Sequence, residues 1–385
     1  MIKADFQGID LDQKIVGVSF FSVNTEISSG KMHGQSQNIK PLGFVTISVH
    51  NKTGISEIYA ATYISIGLKS MFKYFDHLLS GKNIREARDI FENLEIPFVS
   101  RNGLFKACFG ALENAFLDMC AKLKDVPLYK FLGGDSEFPK IYASGGSVIC
   151  SPAEIEEESY HVESSGYNGY KIRVGLQSWN VDMRRVESMK KIAINRMVDG
   201  ICGTRNPCWT IDDVMSKIPF LEDQEIYWLE EPLYPDNYSD HALLQERTSM
   251  NIAAGEAYSG FGEFKNLVDI GNINIIQFDA CHSGGLSLCQ EISNYSRSRK
   301  RKTAIHVWGS SVAINTNFHL ALSIKGLDFL EKPLIELQID KMIHQEYRDL
   351  DNLKNTILQK PGIGIEIEDF VNVPVDNCFG YEYKW

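Results

Sequence analysis

The spacing of apolar and polar residues changes near residue 138 and divides the chain into two parts. Within residues 14–60, the runs "IVGVSFFSV" and "GFVTISVH" are apolar or alternate with period two, which predicts strands. The polar stretch between them predicts a long connecting loop over residues 22–40. Apolar residues recur at helical spacing from about 66 to 132. The first third is therefore predicted to combine strands and helices.

After residue 138, short apolar segments recur, each followed by a helical pattern. The segments are "KIYASG" (140–145), "GYKIRV" (169–174), "NRMVDG" (195–200), "IYWLEEP" (226–232), "NIAAGEA" (251–257), "INIIQFDA" (273–280), "TAIHVWG" (303–309) and "LDFLEKP" (327–333). This alternation predicts βα units and a parallel sheet. The strand count and the chain length favour a closed α/β barrel over an open doubly wound sheet.

Seven of these segments carry an ionisable residue near their carboxyl end. They are Lys171, Asp199, Glu230, Glu256, Asp279, His306 and Glu331. Each is about one βα unit from the next, and in a closed βα barrel the carboxyl ends of the strands converge on the mouth, where active sites lie. One such residue alone is more often a helix cap or a solvated charge. Seven in succession predict a site.

Three successive strands end in Asp199, Glu230 and Glu256. Carboxylates brought together raise one another's pKa unless a cation neutralises them, and a set of oxygen ligands selects a hard ion such as Mg²⁺. The alternative is that the three are separate caps or ion pairs. Strand alternation and the following Pro232 favour Glu230 over Glu231 as the ligand.

The next two strands supply Asp279 and His306, which together predict a general base. A carboxylate bonded to one imidazole nitrogen fixes the tautomer and leaves the other nitrogen free to accept a proton. His282 is a competitor, but it falls beyond the strand in a predicted loop. In "YKIRVG", alternation places Lys171 and Arg173 on one face, so that two cations converge. Metal, base and cations together suit enediolate formation beside a carboxylate.

Composition narrows the class of protein further. Of the 385 residues, 44% are hydrophobic, which is enough for a large core, and 23% are charged. The formal net charge of −11 disfavours nucleic acid as the main partner. The N-terminus does not read as a signal peptide, and no apolar run reaches about 18 residues, so no membrane partner is predicted. The eight cysteines form no CxxC pair. They predict reduced thiols in a cytoplasmic protein.

Several motifs in one order resemble the enolase superfamily, specifically its mandelate racemase subgroup. They are "ALENAFLDMCAKLKDVPLYKFLGG", "YKIRVG", "MVDG", "WLEEP", "AAGEA", "QFDACHSGGLS" and "HVWGSS". The resemblance implies a (β/α)7β TIM-like barrel with an α+β capping domain. It places the capping domain at 1–135, the barrel at 136–345 and a returning C-terminal segment at 346–385.

The resemblance also implies roles for the strand-end residues. Asp199, Glu230 and Glu256 correspond to the ligands of one Mg²⁺ per subunit, and Asp279 with His306 to a catalytic dyad. Lys171, Arg173, Glu331 and Trp308 would bind a small carboxylate or acid-sugar substrate, with Lys171 and Arg173 also belonging to the catalytic group. The 22–40 loop would close over the mouth. A homo-oligomer, dimer or octamer, is expected.

Two departures from the family pattern shape the predicted reaction. The family's second strand carries a Lys-x-Lys motif, and Arg173 replaces its second lysine here. A guanidinium stays protonated, so it is a poor base in catalysis. The stretch "GICGTRNPCW" after Asp199 replaces a short Asn-containing turn. A one-base mechanism with His306 is therefore favoured, namely dehydration of an aldonate or aldarate to a 2-keto-3-deoxy acid. Lys171 would bind the carboxylate or act as a secondary acid.

Three alternatives remain open from the sequence. The first is a racemase or epimerase of a hydroxy or amino acid on the same scaffold. The second is an aldolase that forms a Schiff base at Lys171. The third is a non-catalytic binding homologue, which the arginine and the altered loop make conceivable.

Overall fold

The computed structural model of the chain describes residues 3–29, 39–135, 137–205, 207–343 and 349–375. Its N-terminal part is an antiparallel sheet covered by helices. The strands of this sheet are β1 (Gly17–Ser29), β2 (Ile39–Val49) and β3 (Lys52–Glu57). The helices that follow are α1 (Ala61–Leu79), α2 (Ile84–Asn93), α3 (Gly103–Leu123) and α4 (Leu128–Phe131). We call this part the cap.

The two long strands of the cap extend into the predicted 22–40 loop, so that prediction is wrong at both ends. Strand β1 continues to Ser29 and β2 begins at Ile39, with Thr25 paired to Lys40. The polar residues are held in the hairpin because their backbone groups pair across it, which requires no apolar side chain. Residues 30–38 lie outside the described residues, and closure of the mouth by this loop stays a prediction.

The second part is a closed barrel of eight parallel strands. In chain order they are β4 (Lys140–Ser144), β5 (Gly169–Arg173), β6 (Asn195–Asp199), β7 (Trp228–Glu230), β8 (Asn251–Ala254), β9 (Ile275–Phe278), β10 (Lys302–Ile305) and β11 (Phe329–Pro333). Neighbours in sequence are neighbours in the barrel, and β11 closes it on β4. Every predicted strand segment overlaps one of these strands, and the predicted fold class is confirmed.

Helices surround the barrel. They are α5 (Pro152–Ser164), α6 (Trp179–Glu187), α7 (Ile211–Asp223), α8 (Tyr238–Arg247), α9 (Phe261–Asp269), α10 (Leu286–Ser298) and α11 (Ser311–Ser323). Capping boxes begin α5 and α7, where Ser151 and Thr210 accept bonds from the backbone three residues on. In the described part of the chain, none of the helices has both the length and the apolar character needed to cross a bilayer.

Side chains fill the barrel in two layers of different chemistry. One layer is apolar and consists of Tyr142, Met197, Trp228, Ala253, Ile275, Ala304 and Phe329. Alternate residues of a strand face opposite sides, so Tyr170 and Ile172 of β5 pack in the large outer core instead. The apolar layer closes the floor, and the inward-facing residues nearer the carboxyl ends lie in a cup above it.

The remaining elements join the two parts. The short strand β12 (Glu336–Leu337) pairs with β1, and α12 (Gln338–Met342) and α13 (Leu350–Gln359) follow. Beside the barrel, Asn114 of α3 donates to the Ala280 carbonyl at 2.8 Å and accepts from the Leu286 amide at 2.8 Å. The cap is thereby fixed against the loop after β9. The domain limits at 135 and 345 stay predictions.

The C-terminal segment is fastened to the cap by a buried ion pair. Lys122 and Asp118, both on α3, are 2.9 Å apart with fully buried side chains. The Lys122 ammonium also donates to the Ile365 carbonyl at 2.6 Å, and Asp118 accepts from the Ile363 amide at 2.7 Å. Because these bonds satisfy both charges, the segment after α13 stays against α3.

Candidate active site

Strand β5 carries both cations of "YKIRVG" into the barrel. The Lys171 side chain is fully buried, its ammonium is ion-paired with Glu230, and it lies 3.0 Å from Glu331 Oε1 and 3.9 Å from Asp199 Oδ2. Burial alone would lower the pKa of Lys171, but the carboxylates of Glu230 and Glu331 raise it well above its ordinary value. This lysine is therefore held as an ammonium at the centre of the cup.

Arg173 lies one step closer to the mouth. Its Nη1 donates to the Gly145 carbonyl at 3.0 Å, and its Nε is 3.8 Å from Asp199 Oδ2. The guanidinium carbon lies 4.7 Å from the centroid of the Trp308 ring, within the range of a cation–π contact. The predicted convergence of the two cations on one enclosed space is therefore present.

Two of the three predicted metal ligands, Asp199 and Glu230, end the neighbouring strands β6 and β7, whereas Glu256 lies in a turn two residues after the end of β8. Burial raises the pKa of Asp199 to about 6 and that of Glu256 to about 7, and it also raises the pKa of Glu230. Asp199 accepts from the Ile201 amide at 2.7 Å, and Glu230 accepts from the Trp228 indole at 3.1 Å. These carboxylates repel one another as well as losing solvation, which is the situation that a bound cation relieves.

An unpaired oxygen marks where such a cation fits. The buried Glu256 Oε2 has no hydrogen-bond partner among the described residues. The described residues contain no group of three carboxylates, imidazoles or thiols already at metal-ligating spacing. The Lys171 ammonium contacts Glu230 and approaches Asp199. The donor set of carboxylate oxygens suits a hard divalent ion such as Mg²⁺.

His306 follows directly after β10 and faces the carboxylates. Its Nδ1 is 3.0 Å from Asp279 Oδ2, and its Nε2 is 3.6 Å from Glu256 Oε2 and 4.0 Å from Glu331 Oε2. Burial alone would lower the pKa of His306, but Glu256, the Asp279 hydrogen bond and Glu331 raise it to about 9. The predicted pair is formed, and the ring nitrogen remote from Asp279 points to the site.

Asp279 is itself held by two further donors. Its Oδ1 accepts from the Cys281 amide and from Asn317 Nδ2, both at 2.8 Å. The second oxygen is therefore left to His306, which fixes the orientation of the ring. His282 lies in the turn beyond β9, as predicted. Its ring makes an edge-to-face contact with the ring of Tyr59 and does not bond to the Asp279 carboxylate.

Glu331 lies inside the barrel in β11. Its Oε2 accepts from the Val307 amide at 3.0 Å, and its Oε1 approaches Lys171. Burial alone would raise the pKa of Glu331, but Lys171, His306 and Arg173 lower it to about 2. Glu331 therefore adds a fixed negative charge between the cations and the histidine.

A cleft of about 260 Å³ opens beside Arg173 and Trp308. Its wall is formed by the loop after β4, by α5 and by the residues that follow β11. The residues that line this cleft include Arg173, Trp308, Ser144 and Ser147. The cleft lies on the β4–β5 side of the mouth, and Trp308, two residues after His306, forms part of its wall.

Sequence reasoning missed three residues that belong to this region and set a fourth, Glu231, aside as a metal ligand. Lys40 and Glu57 come from the cap, Tyr59 packs its ring 6.0 Å from that of His306, and Glu231 is a second buried carboxylate after β7. Glu231 has a φ of 39° and accepts from the Gly203 amide at 3.1 Å. Burial, with Glu256 and Asp199 nearby, raises the pKa of Glu231 well above its ordinary value. The double glutamate of "WLEEP" was the available signal for Glu231.

The chain as a whole is similar to known proteins. The family model described as "Enolase C-terminal domain-like" matches residues 154–371, more than half of the chain. The chain belongs to this family. The predicted resemblance to the enolase superfamily is confirmed, including its mandelate racemase side among the structural neighbours.

Two relatives that are named as dehydratases are similar to this chain over most of its length. Arabinonate dehydratase of Saccharolobus solfataricus is 26% identical over 278 residues, which cover 70% of this chain and 72% of the relative. L-Talarate/galactarate dehydratase of Salmonella typhimurium is 23% identical, with 84% of this chain and 83% of the relative covered. Both of these relatives are dehydratases by name, and the substrates in those names are properties of the relatives.

A solved structure shows the same fold. It is a racemase from Streptomyces coelicolor A3(2) with bound magnesium, which superposes with a TM-score of 0.77 at 18% identity. The match covers 93% of this chain and 98% of the racemase. At this identity the likeness supports the enolase fold of the chain, and magnesium is a property of that neighbour.

Proposed function

We propose that this chain is a Mg²⁺-dependent dehydratase of acid sugars, an aldonate or aldarate hydro-lyase that forms a 2-keto-3-deoxy acid. One observation carries the proposal: the site has one base with the geometry to act. His306 is bonded to Asp279 through Nδ1 and presents Nε2 to the cup. Arg173 occupies the position across the barrel from His306. A guanidinium cannot accept a proton near neutral pH, so this position does not supply a second base.

Asp199, Glu230 and Glu256 would hold the metal ion. When bound, Mg²⁺ would stabilise the negative charge that develops on the substrate carboxylate. The Lys171 ammonium now pairs with Glu230; with the ion held there, Glu230 would not depend on that pair, and Lys171 and Arg173 would both be available to the anionic substrate. The metal ion would then balance the charge of the three carboxylates, and Lys171 and Arg173 would both remain in the site.

The chain's own residues account for the proton transfers. Nε2 of His306 takes the proton from the carbon next to the carboxylate, and Asp279 stabilises the resulting imidazolium. The electron pair of the broken C–H bond forms a C=C bond as the C–O bond to the β-hydroxyl breaks. The imidazolium returns the same proton to that oxygen, so water leaves. The enol product then tautomerises to the 2-keto-3-deoxy acid.

Lys171 acts as a charge rather than as a base in this proposal. An aldolase would need the neutral amine to attack a carbonyl, whereas Lys171 is fully buried among carboxylates that favour its ammonium form. The dehydratase relatives support the proposed reaction class, and the racemase neighbour keeps racemisation as its rival. One Mg²⁺ per subunit and a homo-oligomer stay predictions.

The test is a screen of the purified protein with Mg²⁺ against mono- and diacid sugars in deuterated buffer. We expect a 2-keto acid from at least one sugar, and no activity above background in the His306→Asn variant. Recovered substrate of inverted configuration that contains deuterium, without keto acid, would show a racemase instead. Trapping of the protein with substrate by borohydride would show an aldolase.

A further inference from the structure

Lys40 brings a third cation to the boundary between the cap and the barrel mouth. It is the second residue of β2, is 2% exposed, and places its ammonium 4.9 Å from the centroid of the Trp308 ring. Within the residues that the structure describes, no hydrogen bond or ion pair involves this ammonium. A buried positive charge without a contacting acceptor is costly unless an anion reaches it.

The cap carboxylate whose charge acts on Lys40, Glu57, is already engaged. Glu57 accepts from both the amide and the hydroxyl of Ser310, at 3.0 and 2.6 Å through the same oxygen. Burial lowers the pKa of Lys40 to about 8, opposed by the charges of Glu57, Asp340 and Asp279. These carboxylates act on Lys40 through space without contacting it, so the ammonium keeps its capacity to bind a ligand.

Trp308 connects Lys40 with the site already described. Its ring centroid lies 4.9 Å from the Lys40 ammonium and 4.7 Å from the Arg173 guanidinium carbon. The two charges are therefore within about 10 Å of each other, across or beside one aromatic ring. Arg173 lies 3.8 Å from Asp199 in turn. A run of cations thus leads from the metal carboxylates to the cap.

We propose that Lys40, Arg173 and Trp308 form a subsite for a second anionic group, at the end of the acid sugar remote from the reacting carboxylate. The inference rests on the proposed function and names its substrate class as a diacid sugar. A terminal carboxylate would pair with the buried cations, whereas a terminal CH₂OH would leave them without an anion. A terminal phosphate has the same charge chemistry and is the other possible source.

Binding to the His306→Asn protein with Mg²⁺ tests the subsite without turnover. Calorimetry would compare a hexaric diacid, the hexonate of the same configuration and its 6-phosphate. We expect the diacid to bind at least tenfold more tightly than the hexonate, and the phosphate arm shows which anion fits. Lys40→Met, which keeps the length of the side chain, should remove this preference. Lys40→Arg should retain most of it.

Lys332→Met is the matched control. Lys332 lies in β11 and is also largely enclosed, but its ammonium donates to the Pro333 carbonyl and not toward Trp308. Its loss should leave the diacid preference unchanged. Equal binding of diacid, phosphate and hexonate by the His306→Asn protein would overturn the inference, and this measurement needs no Lys40 variant. Weakening of all three ligands alike by Lys40→Met would also overturn it.

The two proposals fail in different ways. Formation of keto acid from monoacid sugars alone, with no diacid preference in binding, would retain the dehydratase and remove the subsite. A diacid preference that Lys40→Met abolishes, with no keto acid from any sugar, would retain the subsite and remove the dehydratase.

Discussion

Replacing Asp279 by Asn should stop catalysis by moving a proton within His306. Oδ1 of Asp279 faces two donors, the Cys281 amide and Asn317 Nδ2, both at 2.8 Å. An asparagine must therefore place its carbonyl oxygen at that position and turn its NH₂ group toward Nδ1 of His306. Nδ1 would then be the acceptor, and Nε2 would carry the proton of the neutral ring.

The expected loss follows from the role that this exchange removes. With Nε2 protonated, no ring nitrogen of neutral His306 is free to take the substrate proton. General base catalysis contributes about 10²- to 10⁴-fold, so kcat/KM should fall by that factor, or about 2.7–5.4 kcal/mol in activation free energy. The hydrogen bond itself is replaced rather than lost, so the free energy of unfolding should change by less than about 1.5 kcal/mol.

The assay combines kcat/KM for an acid sugar found by the screen with the tautomer of His306 from ¹⁵N NMR, recorded above pH 9 because the pKa of His306 is raised to about 9. Asp279→Asn should shift the proton from Nδ1 to Nε2, and Asn317→Ala serves as the control. That control removes one donor to Asp279 but leaves the acceptor for His306, so it should keep the tautomer and cost less than about tenfold in kcat/KM. An Asp279→Asn protein with the original tautomer, or with more than a tenth of the activity, would refute the reasoning.

Three further changes test separate parts of the structure. Lys122→Met should cost about 3–5 kcal/mol in urea unfolding because it leaves the Asp118 carboxylate buried without its cation, and a cost below about 1 kcal/mol would contradict this. Burial lowers the pKa of His319 to about 3, so the unfolded chain alone takes up this proton below pH 6.5. Stability should therefore fall by up to about 1.4 kcal/mol per pH unit between 6.5 and 3, and His319→Gln should reduce that slope. Glu256→Gln should weaken Mg²⁺ binding at least tenfold by calorimetry, and unchanged affinity would exclude Glu256 as a ligand.

The barrel could be predicted because its signal is local and repeated. Each strand is a short apolar run followed by a helix, and the parallel order follows from the sequence order once the sheet closes. The same regularity placed Asp199, Glu230, Asp279 and His306 at the mouth. Their approach to one another required no knowledge of side-chain packing, since every carboxyl end of a strand lies on the same rim.

The cap's contribution could not be predicted because it depends on how two separately folded layers pack. Lys40 is more than 130 residues from Arg173 in sequence, and both meet Trp308. The polar residues around Lys40 predicted a loop there, whereas backbone pairing with Thr25 places Lys40 in a strand. Hydrophobic periodicity reports which face of an element is buried, but it does not report which other element covers that face.

Glu230 and Glu231 show where strand alternation stops being a guide. Alternation correctly predicted that Glu230 points into the barrel. There the Trp228 indole donates to one of its carboxylate oxygens and the Lys171 ammonium pairs with the other. The same rule would send Glu231 outward, yet its φ of 39° ends the strand, and its carboxylate is buried against the Gly203 amide. The period of two holds only while the backbone remains extended, and Glu231 lies where it ceases to be so. The residue after each strand should therefore be treated as a possible part of a barrel site, and here that adds a fourth carboxylate beside the three proposed ligands.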